Sequence, residues 1–96
     1  MIESFANRLA EDLFDDRRSK AVLRFPPDLI RVARRKLLYL HDASDIGDLR
    51  EPPGNRLEAL KGALKGFHSI RINDQWRIVF RWQDGNAYEV QIIDYH

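Results

Sequence analysis

The feature that most constrains this chain is a change of hydrophobic period near residue 56. Beyond it, His68-Ser69-Ile70-Arg71-Ile72 alternates apolar with polar. Trp76, Ile78, Phe80 and Trp82 then alternate with Arg77, Val79 and Arg81, and Tyr88, Val90 and Ile92 with Glu89, Gln91 and Ile93. A period of two sends successive side chains to opposite sheet faces, so three strands are predicted. Asn73-Asp74 and Asp84-Gly85 lie between them, and the second is a favoured hairpin dipeptide, which makes the three strands an antiparallel meander. Leu57 to Leu60 is a candidate fourth strand at one edge. The face carrying Ile70, Ile72, Trp76, Ile78, Phe80, Trp82, Tyr88 and Val90 needs covering, and the opposite face presents Arg71, Arg77 and Arg81 near Gln91 and Tyr95.

Upstream the period is helical. Pro26-Pro27 ends whatever precedes it, Asp28 stands where an N-cap would, and Ile30, Ala33, Leu37 and Leu40 share one side of a helix over residues 28–42. Arg31, Arg34, Arg35 and Lys36 read as its solvated basic stripe. Residues 8–16 place Leu9, Leu13 and Phe14 on one helical side, and Ile2 to Phe5 could be a short strand. Residues 17–27 show no clean period and read as a mobile loop, with Arg17 to Phe25 expected to order on a partner. Ser44 to Leu49 suits a short turn, and Glu51-Pro52-Pro53-Gly54-Asn55 is a loop by composition. Helices followed by an antiparallel sheet predict an α+β fold, with the helices on one sheet face and residues 1–96 forming a single domain.

At 96 residues the chain holds one core and no separate cofactor domain. It has no cysteine, which removes disulfides, thiolate metal sites and thiol nucleophiles. Three histidines, at 41, 68 and 96, are sparse for a metal centre, and no cofactor or metal is expected. No apolar run reaches the roughly 20 residues of a membrane span, and no signal peptide is evident, so the expected location is the cytoplasm. The net charge is +1, but residues 29–82 carry eleven basic and six acidic side chains. That excess, with acidic flanks, supplies a local positive field for a polyanion.

Each candidate functional residue has a plainer reading beside it. Asp94-Tyr95-His96 gathers titratable groups, and a histidine of ordinary pKa near 6.5 suits proton transfer at neutral pH, yet chain ends are commonly frayed. Lys61 and Lys65, each followed by glycine, could approach an anion, or be solvated loop residues. Arginines aligned across neighbouring strands repel unless an anion or carboxylate lies between them. His68 is in phase with Ile70 and Ile72 and reads as a partly buried core histidine. His41 reads as a partner of a helix C-terminus. Trp76, Phe80 and Trp82 read as core rather than base-stacking residues.

Residues 52–62 (Pro-Pro-Gly-Asn-Arg-Leu-Glu-Ala-Leu-Lys-Gly), residues 68–78 (His-Ser-Ile-Arg-Ile-Asn-Asp-Gln-Trp-Arg-Ile) and the closing Asp94-Tyr95-His96 together resemble the HigB/GraT branch of the RelE/ParE toxin superfamily. The resemblance spans essentially the whole chain. It implies a RelE-like toxin of a type II toxin–antitoxin pair, a metal-independent endoribonuclease that cuts mRNA in the ribosomal A site. The implied partner is a HigA-like helix-turn-helix antitoxin, with the toxin a monomer when free and part of a heterotetramer with a dimeric antitoxin. The implied catalytic set is His96 for proton transfer, Lys61 and Arg77 for the phosphorane, Tyr95 for orienting a nucleotide and Asp94 for orienting His96 or Lys61. Some HigB toxins carry a histidine three residues before the lysine. Here that position is Glu58, a candidate second acid or base. Arg56, Lys65, Arg71, Gln75 and Arg81 are the candidate RNA-binding residues. The alternatives are a ParE-like gyrase poison, which would lack the Asp-Tyr-His set, and a binding module without catalysis.

Overall fold

A computed structural model describes residues 1–95; His96 lies outside the described residues. The two hairpins form as the alternation predicts. Strands β1 (Glu58–Ala59), β2 (Phe67–Arg71), β3 (Trp76–Gln83) and β4 (Asn86–Asp94) make an antiparallel sheet in the order β1-β2-β3-β4. Asp84 and Gly85 both take positive φ, +52° and +79°, the geometry whose twist matches a two-residue hairpin. Helices α1 (Arg8–Phe14), α2 (Lys20–Arg24) and α3 (Ile30–Asp42) lie on the inner face, where Ile70, Ile78, Phe80, Ala87, Val90 and Ile92 meet Leu13, Leu37 and Leu40. Among the described residues no helix is long and apolar enough to cross a membrane.

The outer edge of β4 is closed by the N-terminal segment, which runs parallel to it. Glu3 and Ala6 donate to the carbonyls of Ala87 and Val90, while Ala87 and Val90 donate to those of Met1 and Ser4. Where that segment turns into α1, the Asn7 side chain continues the pairing. Its Nδ2 donates to the Ile92 carbonyl (2.8 Å), and its Oδ1 accepts from the Ile92 N–H (3.3 Å) and from Ala10 N–H as the N-cap of α1 (3.0 Å).

Four expectations need correction. Residues 17–27 contain α2, capped by the Ser19 hydroxyl and anchored by buried Val22 and Phe25, because two apolar residues three apart suffice to dock one turn onto a core. Asp28 does not cap α3: Pro27–Leu29 forms a 3-10 turn that leads straight into the helix, and Asp28 is exposed. Lys36 is buried instead of solvated. Its Nζ donates to the Arg71 carbonyl (2.5 Å), past the end of β1 pairing, which stops at Glu58–Ser69. Burial, followed by the charges of Arg35, Arg71 and Arg77, lowers its pKa from the usual lysine value.

Tyr88 is the fourth. It lies opposite Arg81 on the outer face, because β4 bulges between the Val79–Gln91 and Arg81–Tyr88 pairs, where Glu89 takes φ +52°. One extra residue reverses the alternation, so the inner positions are 87, 90 and 92.

Candidate active site

Arg77 is the centre of the outer face. It is 7% exposed, and a buried guanidinium needs its N–H groups satisfied. Nε donates to Ser69 Oγ (2.8 Å), and Nη2 donates to the Arg56 carbonyl (2.7 Å). Nη1 lies 3.4 Å from Glu58 Oε1, and the guanidinium carbon sits 5.5 Å from the centre of the Tyr95 ring.

Each partner is delivered by a different piece of local structure. Ser69, on β2, shares the outer face because it pairs with Val79, and Glu58 of β1 pairs with Ser69. The Arg56 carbonyl comes from the loop before β1. Buried Asn55 donates to the carbonyls of Leu49 and Glu51 (3.2 Å each), and Arg56 then adopts φ +45°, which turns the chain toward Arg77. Tyr95 follows β4. Its N–H donates to the Gln75 carbonyl (2.6 Å), and Gln75 Nε2 donates to Asp94 Oδ2 (2.9 Å). The turn before β3 thereby fixes Asp94 and Tyr95 beside the start of the strand that carries Arg77.

The stacked arginines are compensated from within the chain. Arg77 faces Glu58, Arg71 is bonded to Asp74, and Arg81 donates to Glu89 (2.7 Å) while lying 4.4 Å over the Phe67 ring. The Arg77 guanidinium is therefore oriented in advance, with the half-exposed Glu58 carboxylate as its ion-pair partner among the described residues. Among the described residues no group of three or more His, Asp or Glu side chains could hold a metal ion.

The profile of the HigB-like toxin family, described as "RelE-like toxin of type II toxin-antitoxin system HigB", matches residues 3–96. The chain belongs to the HigB-like toxin family. It is 42% identical over 88 residues to Toxin HigB-1 of Vibrio cholerae, covering 91% of this chain and 90% of that protein. It is 31% identical to Endoribonuclease HigB of Proteus vulgaris over the full length of both chains. The fold is also shared with YoeB in the YoeB-YefM complex from Staphylococcus aureus, at TM-score 0.62 and 21% identity, covering 100% of this chain and 98% of that one. A mutant of YafQ from E. coli gives TM-score 0.58 at 15% identity, covering 98% and 93%.

Of the residues proposed from this HigB-like sequence, the fold brings together Arg77, Glu58, Tyr95 and, through its carbonyl, Arg56, while Gln75 and Asp94 tie the adjacent corner. Lys61 and Lys65 are exposed and flank the 3-10 turn Gly62–Leu64; neither has an ion pair among the described residues. Arg71 and Arg81 are on the predicted face but already carry carboxylate partners. His96 falls outside the described residues. Ser69 was missed by sequence reasoning, although a small polar residue in the outer phase between His68 and Ile70 was the available signal. Asn55 was read only as loop, and nothing local distinguishes it from a solvated turn residue.

Proposed function

We propose that this HigB-like toxin is a ribosome-dependent mRNA endoribonuclease that acts in the cytoplasm and is held in check by a HigA-like antitoxin. The observation that carries the reading is Arg77, a buried, fully oriented guanidinium facing Tyr95 and Glu58 at the corner where Asp94 ends β4. The name of the Proteus vulgaris relative supports the same chemistry. The fold shared with YoeB, seen in complex with YefM, supports an antitoxin partner.

RNA cleavage without a metal requires a base for the 2′-hydroxyl proton, cations for the phosphorane and an acid for the 5′-oxygen. The 2′-oxygen attacks phosphorus, the P–O5′ bond breaks, and the products are a 2′,3′-cyclic phosphate and a 5′-hydroxyl end. In this reading Arg77 and Lys61 stabilise the phosphorane, His96 transfers a proton at one reacting oxygen, and Glu58 is the second acid or base that serves the other. Tyr95 orients a nucleotide, and Asp94 orients His96 or Lys61. A small face with few directional donors reads bases loosely, so the ribosome supplies the substrate geometry and free RNA is cut poorly.

Primer extension on a reporter message in a translating extract tests this, comparing the wild type with His96→Ala. Cuts within codons that require both translation and His96 are expected. An intact message with growth still arrested would sink the ribonuclease reading and turn attention to gyrase, while full toxicity of a normally folded His96→Ala protein would remove that residue from the site.

A further inference from the structure

On the other side of β1 from Glu58 lies an open cleft of about 330 Å³. Leu57 and Ala59 alternate with Glu58, and Ala59 pairs with His68 while Glu58 pairs with Ser69. One short strand therefore separates the cleft from the Arg77 cluster. Arg56 joins the two, since its carbonyl holds Arg77 and the same residue lines the cleft.

The lining is apolar at Ile46, Pro53, Leu57 and Ala59 and cationic at Arg50 and Arg56, with no acidic residue. Among the described residues neither Arg50 nor Arg56 has a carboxylate partner, whereas Arg71, Arg77 and Arg81 each do. The two uncompensated guanidiniums of this half of the molecule are thus the two at the cleft. His68 supplies a flat ring stacked on Phe80, with centroids 6.1 Å apart and planes at 23°. Its Nδ1 is sealed from solvent without a partner, which leaves Nε2 as its open polar atom. Burial lowers the His68 pKa, so the ring is neutral at physiological pH.

We propose that this cleft is a nucleotide subsite, taking the base that adjoins the scissile phosphate against His68 and that nucleotide's phosphate between Arg50 and Arg56. The proposal rests on the ribonuclease reading of the neighbouring site. A neutral ring in a cleft that also carries two cations suits stacking on an unpaired base, and the volume stands at the lower end of the roughly 300–1,000 Å³ of small-ligand sites, enough for one nucleotide. Continuity with Arg77 through a single residue favours RNA over an acidic peptide.

Ala59→Trp fills the cleft and Arg50→Gln removes one cation; both positions are exposed, and thermal melts check that the fold is kept. The probe is a short single-stranded RNA with fluorine at every 2′ position, which cannot be cut, followed by fluorescence anisotropy. Ala59→Trp is expected to weaken binding about tenfold. Arg50→Gln is expected to lower the slope of log affinity against log salt by about 0.7, the value for one phosphate contact on a single strand. His68→Phe should keep affinity but relax the preference for the base beside the cut in primer extension. Unchanged affinity and salt slope in both cleft variants would overturn the subsite, as would failure of the wild type to bind the probe. Variants that bind RNA normally but lose the antitoxin would assign the cleft to an acidic partner and overturn it equally. RNA bound through the cleft by a protein that cuts no message would support the subsite and sink the ribonuclease reading.

Discussion

Arg77 shows how one side chain collects its role from four others. Its two direct hydrogen bonds fix the guanidinium plane, one to a hydroxyl and one to a carbonyl, and both depend on the forked geometry of arginine. Arg77→Lys keeps the charge but cannot reach Ser69, Arg56 and Glu58 together. Cleavage by that variant is expected to fall by about 10² to 10³, the usual effect of removing one oriented donor, in single-turnover assays on programmed ribosomes. A drop of less than fivefold would mean that charge alone suffices. His68 carries a pH signature. Its folded pKa is lowered, so as pH falls through the ordinary value near 6.5 the unfolded chain takes up a proton before the native state does. Stability is therefore full above that value and lost below it. Melting curves between pH 7.5 and 5.5 should decline more steeply for the wild type than for His68→Phe; parallel curves would show that burial of the ring exerts no such effect.

Elements here are held by side chains that stand in for backbone. Asn7 caps α1 and pairs with both backbone groups of Ile92, so Asn7→Ala removes a helix cap and leaves a strand edge unpaired. A loss of about 2 kcal/mol is expected, or roughly 10 °C in melting temperature for a domain of this size. Calorimetry reads it directly, and a shift below 2 °C would show that water replaces the amide at no cost. Lys36 plays a similar part at the other edge, meeting the Arg71 carbonyl that β1 is too short to reach. The bulge at Glu89 also acts at this scale. It moves Tyr88 to the arginine face while keeping Ala87, Val90 and Ile92 in the core, and no period-two reading of β4 contains it.

For the whole molecule, the segment between α1 and α3 is a wall and not a flap. Phe25 packs edge-on against Trp76, with centroids 5.0 Å apart, and Arg17 ties back to Asp12 through its N–H (2.8 Å) and its guanidinium (3.8 Å). Trp76 opens β3, so this wall leans on the strand that carries Arg77. Phe25→Ala is expected to cost about 3–5 kcal/mol, a large share of the roughly 5–15 kcal/mol that stabilises a small domain. Urea titration checks the magnitude. Hydrogen exchange supplies a second view: the Leu23 and Phe25 amides, bonded to Ser19 and Val22, should be protected in the free protein, and rapid exchange there would restore the mobile-loop reading.

The sequence by itself determined the two hairpins, their turns, the edge strand, the existence of the first and third helices, though not their ends, and the family, because periodicity and turn chemistry are local and act over a few residues. Tertiary structure alone decided the rest. Arg77 meets residues 8 to 21 positions away, and Lys36 meets one 35 positions away, so neither contact leaves a periodic trace. For Arg71, Arg77 and Arg81 the sequence left open whether an anion or a carboxylate lay between them; strand register and hairpin geometry assigned each a carboxylate. Arg56 was a candidate RNA-binding residue in the sequence and Arg50 was not singled out; the fold sets both at one cleft with His68. Local patterns state which groups a strand carries. Which of those charges stay uncompensated depends on what the fold brings against them, and that is a property of long-range contacts.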